Sequence, residues 1–169
     1  MRHGPHEPIE GRMNLAYFQL IDRIVALDLA ERTIRTEAAV PHESTIFEGH
    51  FPGHPLMPGV LLIEAMAQTA GWLVIGATQF SRMPFLAAIK EAKLRTFVTP
   101  GQMLSLTAEL IHEGSGFAVT AASITADGKP ICDASLTFRL MDFPSPEFRT
   151  FVDEWAARLA FPSEALAHG

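Results

Sequence analysis

Cysteine is nearly absent: Cys132 is the only one in 169 residues. One thiol cannot build an intrachain disulfide framework, and it suits a reducing compartment. Its flanks, KPICDASLTF, read as a strand with no helix N-terminus to activate the sulfur, so a half-buried structural thiol is expected. Positive charge is also scarce. Thirteen Lys and Arg against 19 Asp and Glu leave a formal charge of -6, which argues against a generic basic face for nucleic acid or anionic membrane. The N-terminal MRHGPHEPIEGRMN lacks the apolar stretch of a secretion signal. The longest apolar run is interrupted by Glu64 and Gln68, against stable membrane insertion. No repeat, low-complexity tract or phosphate-type glycine-rich loop occurs, so no nucleotide cofactor is expected. What remains is one compact domain with a sizeable core, expected in the cytoplasm.

Residues 1–14 are polar with Gly and Pro and read as a poorly ordered tail; His3 and His6 lie in it. RIVALDLA (23–30) and TIRTEAAV (33–40) read as strands around Glu31-Arg32. A loop from Pro41 to Pro58 follows, then a helix from about Gly59 to Thr78, with Pro58 and Gly59 suited to its first turn. PFLAAIKEAKL, QMLSLTAELIHE, FAVTAASITA and KPICDASLTFRLM read as four further strands. Pro100-Gly101, Gly114-Ser115-Gly116 and Asp127-Gly128 separate them, the last a strong type I′ hairpin signal. After them DFPSPEFRTFVDEWAARLAFP predicts an amphipathic helix. Ser145 would be its N-cap and Pro146 its first residue, with Phe148, Phe151, Val152, Trp155 and Leu159 at helical spacing. That helix is expected to pack on the sheet or on a neighbour. The domain boundaries are therefore 1–14 for the tail, 15–142 for the main domain and 143–169 for a C-terminal extension.

The predicted helix 59–78 is apolar nearly all round, the mark of a helix enclosed by protein. About 20 helical residues span roughly 30 Å, and strands of about ten residues reach a similar length. A strongly twisted antiparallel sheet could curl along it. One sheet covers only part of such a helix, so a second copy is expected over the rest.

The stretch GHFPGHPLMPGVLLIEAMAQ resembles the signature of the FabZ-type (3R)-hydroxyacyl-acyl carrier protein dehydratases, and the similarity runs from about Phe18 to Leu140. The resemblance implies an α+β hotdog fold: a long central helix wrapped by a strongly curved antiparallel sheet of about six strands, here with the extra C-terminal helix. The related FabA group places Asp where this chain has Glu64, so the glutamate favours the FabZ side. Removing water from a 3-hydroxyacyl thioester needs a base, an acid and donors for the thioester carbonyl. His50 is the candidate base, since an ordinary imidazole titrates near 6.5 and is substantially neutral in a cytosol. A structural histidine tied to a backbone carbonyl is the alternative for it. Glu64 is the candidate acid, on the expectation that burial among Leu61, Ile63, Ala65 and Ala67 helps its carboxyl keep a proton. Gln68, one turn later on the same face, would orient it.

Gly59 would offer its unpartnered amide to the thioester oxygen. Pro58 and Phe51 would line the substrate site, and Phe51, Phe85 and Phe97 could line or gate an acyl tunnel. The resemblance further implies that Glu64 faces the histidine of another protomer, giving a homodimer with two shared sites, or a trimer of dimers. It also implies acyl carrier protein as the partner, bearing the substrate on phosphopantetheine. Arg82, Lys90, Lys93 and Arg95 would form a docking rim for that acidic partner; a solvated strand edge accounts for them equally well. His50 and His54 are four apart, but Pro52 and Pro55 prevent the helix that would converge them on a metal. No metal is expected, and His54 is assigned to the rim. A hotdog thioesterase and a non-catalytic acyl-binding subunit are the competing functions.

Overall fold

The computed structural model describes residues 18–168, so the expected tail at 1–14 lies outside the described residues. Strands β1 (Arg23–Asp28) and β2 (Thr33–Ala39) lead to a short helix α1 (Thr45–Gly49) and then to α2 (Gly59–Ala77). Strands β3 (Met83–Leu94), β4 (Met103–Gly114), β5 (Phe117–Ala126) and β6 (Lys129–Met141) follow. Helix α3 (Pro146–Arg158) and a 3-10 turn (Ser163–His168) end the chain. The six strands form one antiparallel sheet in the order β1-β2-β4-β5-β6-β3. This is the α+β architecture the sequence pattern implies.

Alternation sets the two faces of the sheet. In β4 the buried positions Leu104, Leu106, Ala108 and Leu110 recur every second residue, and β5 repeats the pattern with Ala118, Thr120, Ala122, Ile124 and Ala126. These side chains meet α2, which packs against β2, β3, β4, β5 and β6. Register shifts interrupt the pairing at Leu110/His112, Ile124/Thr125 and Leu86/Ala88. Each such bulge bends its strand and increases the local twist, which lets a sheet curl around a helix about 28 Å long. The sheet is tied to α2 by a buried hydrogen bond between the Thr36 and Thr69 hydroxyls, 2.8 Å.

The two hairpin turns follow from their residues. Asp127 and Gly128 both have positive φ, at 51° and 72°, as do Ser115 and Gly116, at 53° and 80°. Such a pair gives the I′ twist that matches the flanking strands.

Three features differ from the sequence expectation. The stretch 41–58 is not all loop: Ser44 caps α1 by accepting from the Ile46 amide, and five residues are too few for periodicity to reveal. Cys132 is fully buried at 1% exposure rather than half-buried, because it shares the core-facing side of β6 with Ala134, Leu136 and Phe138. Helix α3 begins as expected, with the Ser145 hydroxyl accepting from the Phe148 amide, but its aromatic anchor is the core helix. Trp155 meets Trp72 of α2 edge-on at 6.0 Å between ring centroids, and Phe161 packs on Trp72 and Phe80. Gly76 makes that approach feasible, since a Cβ there would sit 3.1 Å from the Phe161 ring and 3.2 Å from Leu29. The chain thus covers the C-terminal half of α2 with its own extension. Among the described residues α2 alone is long and apolar enough to cross a membrane, and it is mostly buried as the core helix.

Candidate active site

His50 is the residue that ends α1, its amide donating to the Ile46 carbonyl at 3.1 Å. The chain then turns through Pro52 and Gly53, whose φ is +77°, and returns so that the Leu56 amide donates to the His50 carbonyl at 3.1 Å. In the same turn His50 Nδ1 lies 3.1 Å from the Leu56 carbonyl. A carbonyl can only accept, so Nδ1 carries the proton in this bond. The neutral ring then holds its lone pair on Nε2. The contact that would mark a structural histidine is therefore also one that leaves Nε2 of a neutral ring free to accept a proton.

Glu64 and Gln68 sit one turn apart on α2. The Gln68 amide oxygen accepts from the Leu20 amide at 3.1 Å, which forces its NH2 group the other way. That group donates to the Phe18 carbonyl at 2.6 Å and to Glu64 Oε1 at 3.1 Å. The segment entering the sheet thus clamps Gln68, and Gln68 holds one carboxylate oxygen. Glu64 itself is half-buried. The expected enclosure does not arise within one chain, because the N-terminal half of α2 lies open beside the edge strand β3. Among the described residues no hydrogen bond or ion pair joins His50 to Glu64.

Pro58 is the N-cap of α2 and Gly59 its first residue. Among the described residues the Gly59 amide donates to no acceptor, as befits a first-turn N–H. Leu94 of β3 crowds this glycine: a Cβ would lie 2.5 Å from its Cδ1. Phe51 is 55% exposed and stacks at a tilt on His50, ring centroids 4.5 Å apart. Phe97 and Phe85 are exposed, as is His54, so neither phenylalanine walls a cavity with Glu64.

The sequence reading missed the aromatic residues that do. A cavity of about 360 Å³ opens beside Glu64 and Gln68, lined further along by Trp72, Phe138, Phe148, Phe151 and Trp155. The amphipathic spacing of 148–159 carried that signal, but not the address of the helix. The basic rim is also partly engaged: Arg82 pairs with Asp142 and Arg95 with Asp133. Lys90 and Lys93 stand on the exposed side of β3.

Residues 13–135, well over half of the chain, match the family described as the FabA-like domain. A 3-hydroxyacyl-[acyl-carrier-protein] dehydratase FabZ from Levilactobacillus brevis is 40% identical over 119 residues, 70% of this chain and 80% of that protein. Its counterpart from Lactiplantibacillus plantarum is 38% identical with the same coverage. Among solved structures, the dehydratase heterocomplex ApeI:P from Xenorhabdus doucetiae aligns with a TM-score of 0.58 at 15% identity, covering 85% of this chain and 94% of that one. A hypothetical thioesterase with coenzyme A from Streptococcus pneumoniae aligns at 0.56 and 16%, covering 71% and 85%. At such low identity these last two speak for the hotdog fold alone. The chain belongs to the FabA-like family, on its FabZ-type dehydratase side.

Proposed function

We propose that this protein is a hydro-lyase converting (3R)-hydroxyacyl-[acyl carrier protein] to trans-2-enoyl-[acyl carrier protein]. The observation that carries the reading is the bond from His50 Nδ1 to the Leu56 carbonyl, which leaves Nε2 as a fixed acceptor. Nε2 takes the C2 proton of the substrate. The C–H electron pair becomes the C2–C3 double bond, and the C3 hydroxyl leaves as water after taking a proton from Glu64. Transfer of the gained proton from His50 back to Glu64 resets the pair. The Gly59 amide, helped by the α2 dipole, stabilises the thioester oxygen as charge builds there. Gln68 positions the Glu64 carboxyl, and Phe51 and Pro58 border the approach.

The pair is completed by a second copy: His50 of one protomer works with Glu64 of the partner subunit. Supporting this are the missing His50–Glu64 contact within the described chain and the edge strand β3. That strand carries exposed Leu86, Ile89 and Leu94, a row that calls for cover. Assembly of such dimers into a trimer is the larger option. The carrier, acidic and cytoplasmic, would dock on Lys90 and Lys93, with Arg82 and Arg95 contributing once their carboxylate partners yield.

Product analysis tests the reaction. Given one carrier-bound 3-hydroxyacyl substrate, the protein should form the enoyl thioester; release of free acid would establish the thioesterase alternative instead. Complementation tests the shared site. His50→Ala and Glu64→Ala should each be inactive alone and recover part of the activity when co-expressed. No recovery in demonstrated mixed dimers would refute it.

A further inference from the structure

The cavity beside Glu64 has a feature the family match does not cover. The match ends at residue 135, yet one wall of the cavity is α3, through Phe148, Phe151, Val152 and Trp155. The opposite wall is α2, from Glu64 through Gly71 to Ile75, which at about 1.5 Å per residue makes a slot roughly 16 Å long. Its polar groups, Glu64 and Gln68, stand at one end. The rest of the lining is apolar or aromatic. A volume of about 360 Å³ falls in the usual range for small-molecule sites.

Helix α3 is held in place as a wall. Arg149 donates to the Phe80 carbonyl at 2.6 Å and lies 5.4 and 5.2 Å from the Phe80 and Phe143 rings. At the other end the Leu159 carbonyl accepts from the Ile24 amide of β1 at 2.8 Å. Val152, Ala156 and Leu159 are buried beneath it. Both ends of the helix are thus anchored to elements of the core.

We infer that α3 is the specificity element of this enzyme: the slot between α2 and α3 takes the apolar tail of the acyl group, and Phe151 and Trp155 set how long a tail it accepts. The inference rests on the dehydratase reading for the position of the reacting carbons, which must lie at the Glu64 end. The tail then has one apolar direction to follow, along α2 beneath α3. A hydrocarbon chain suits this lining because beyond Gln68 every lining side chain is apolar or aromatic, with the indole N–H groups of Trp72 and Trp155 as its only polar side-chain atoms.

The test is the dependence of kcat/KM on acyl length for carrier-bound 3-hydroxyacyl substrates, with Phe151→Ala and Trp155→Ala. Phe151 is 48% exposed, so its truncation leaves folding intact even if Trp155→Ala does not. Opening the slot should raise kcat/KM about tenfold or more for tails just beyond the wild-type limit. The shortest substrate should stay within about twofold. An unchanged length profile in Phe151→Ala, with the shortest substrate still turned over, would overturn the inference.

A second measurement does not depend on turnover. Trp72 and Trp155 are the only tryptophans of the chain and both line the slot. A carrier-bound acyl group brominated at its tail end should quench their fluorescence far more than one brominated beside the thioester. Equal or absent quenching would place the tail elsewhere and refute the slot. If wild-type protein turns over no length while tail quenching persists, the dehydratase reading fails and the slot stands.

Discussion

The two halves of α2 are solved differently by the same chain. From Thr69 to Gly76 every residue is buried, under the sheet on one side and under Trp155 and Phe161 on the other. From Gly59 to Gln68 burial is broken: Val60 is 72% exposed, and Leu61, Ile63, Glu64 and Gln68 are half-buried. The difference lies in the cover. The extension after β6 covers one half within the chain, whereas the other half, with Glu64 on it, stays open, and the proposed function assigns that opening to the reacting end of the substrate and to a second copy. Stability should therefore concentrate at the C-terminal end of α2 and chemistry at its N-terminal end.

The largest effect should come from the open half. Glu64→Ala and His50→Ala should each lower kcat/KM on the order of 10³-fold, as loss of an acid or base does, with thermal unfolding shifted by only a few degrees. A collapse of stability in Glu64→Ala would erase the contrast between the halves. Next, Leu159→Ala should cost about 2–4 kcal/mol in denaturant unfolding, since it leaves a void under α3. The activity of the remaining folded protein on short substrates should be retained.

A smaller effect should appear at Asp22, at the entry to β1. Burial lifts its carboxyl above the ordinary range, the Ala39 amide partly offsets this, and nearby Glu37 adds to it. The folded state then binds the Asp22 proton more tightly than the unfolded chain. Its contribution favours the fold in acid and is lost as pH rises through the folded pKa. Asp22→Asn should therefore flatten the stability profile between mildly acidic and neutral pH; an unchanged profile in urea titrations would refute the assignment. Smallest of all, Cys132, whose thiol burial pushes up to about 11, should not react with thiol reagents at pH 8 until the protein unfolds. Labelling of folded protein would mean that β6 opens locally.

How far the sequence could be read follows from the range of each interaction. The strands, their turns and the Ser145 cap depend on neighbours a few residues away, so alternation, Asp127-Gly128 and the Ser-Pro pair exposed them. The Glu64–Gln68 contact was legible for the same reason, being one helical turn. The clamp on Gln68 from Phe18 and Leu20 was not, because it joins residues 50 and 48 apart. Nor was the docking site of α3. Its apolar stripe announces that something is covered, while the partner face is chosen by three-dimensional complementarity between Trp72, Gly76 and the incoming rings. The pairing of Arg95 with Asp133 likewise appears only once β3 lies along β6 in register, with Lys93 opposite Asp133.

The paired positive-φ turns at Ser115-Gly116 and Asp127-Gly128 bear on how the chain acquires its shape. They connect β4, β5 and β6 through contacts between near neighbours, which close at little entropic cost. The edge strand β3 must instead reach across to β6, from residues 83–94 to 129–141. The three-strand meander can thus form before the ends of the sheet are joined.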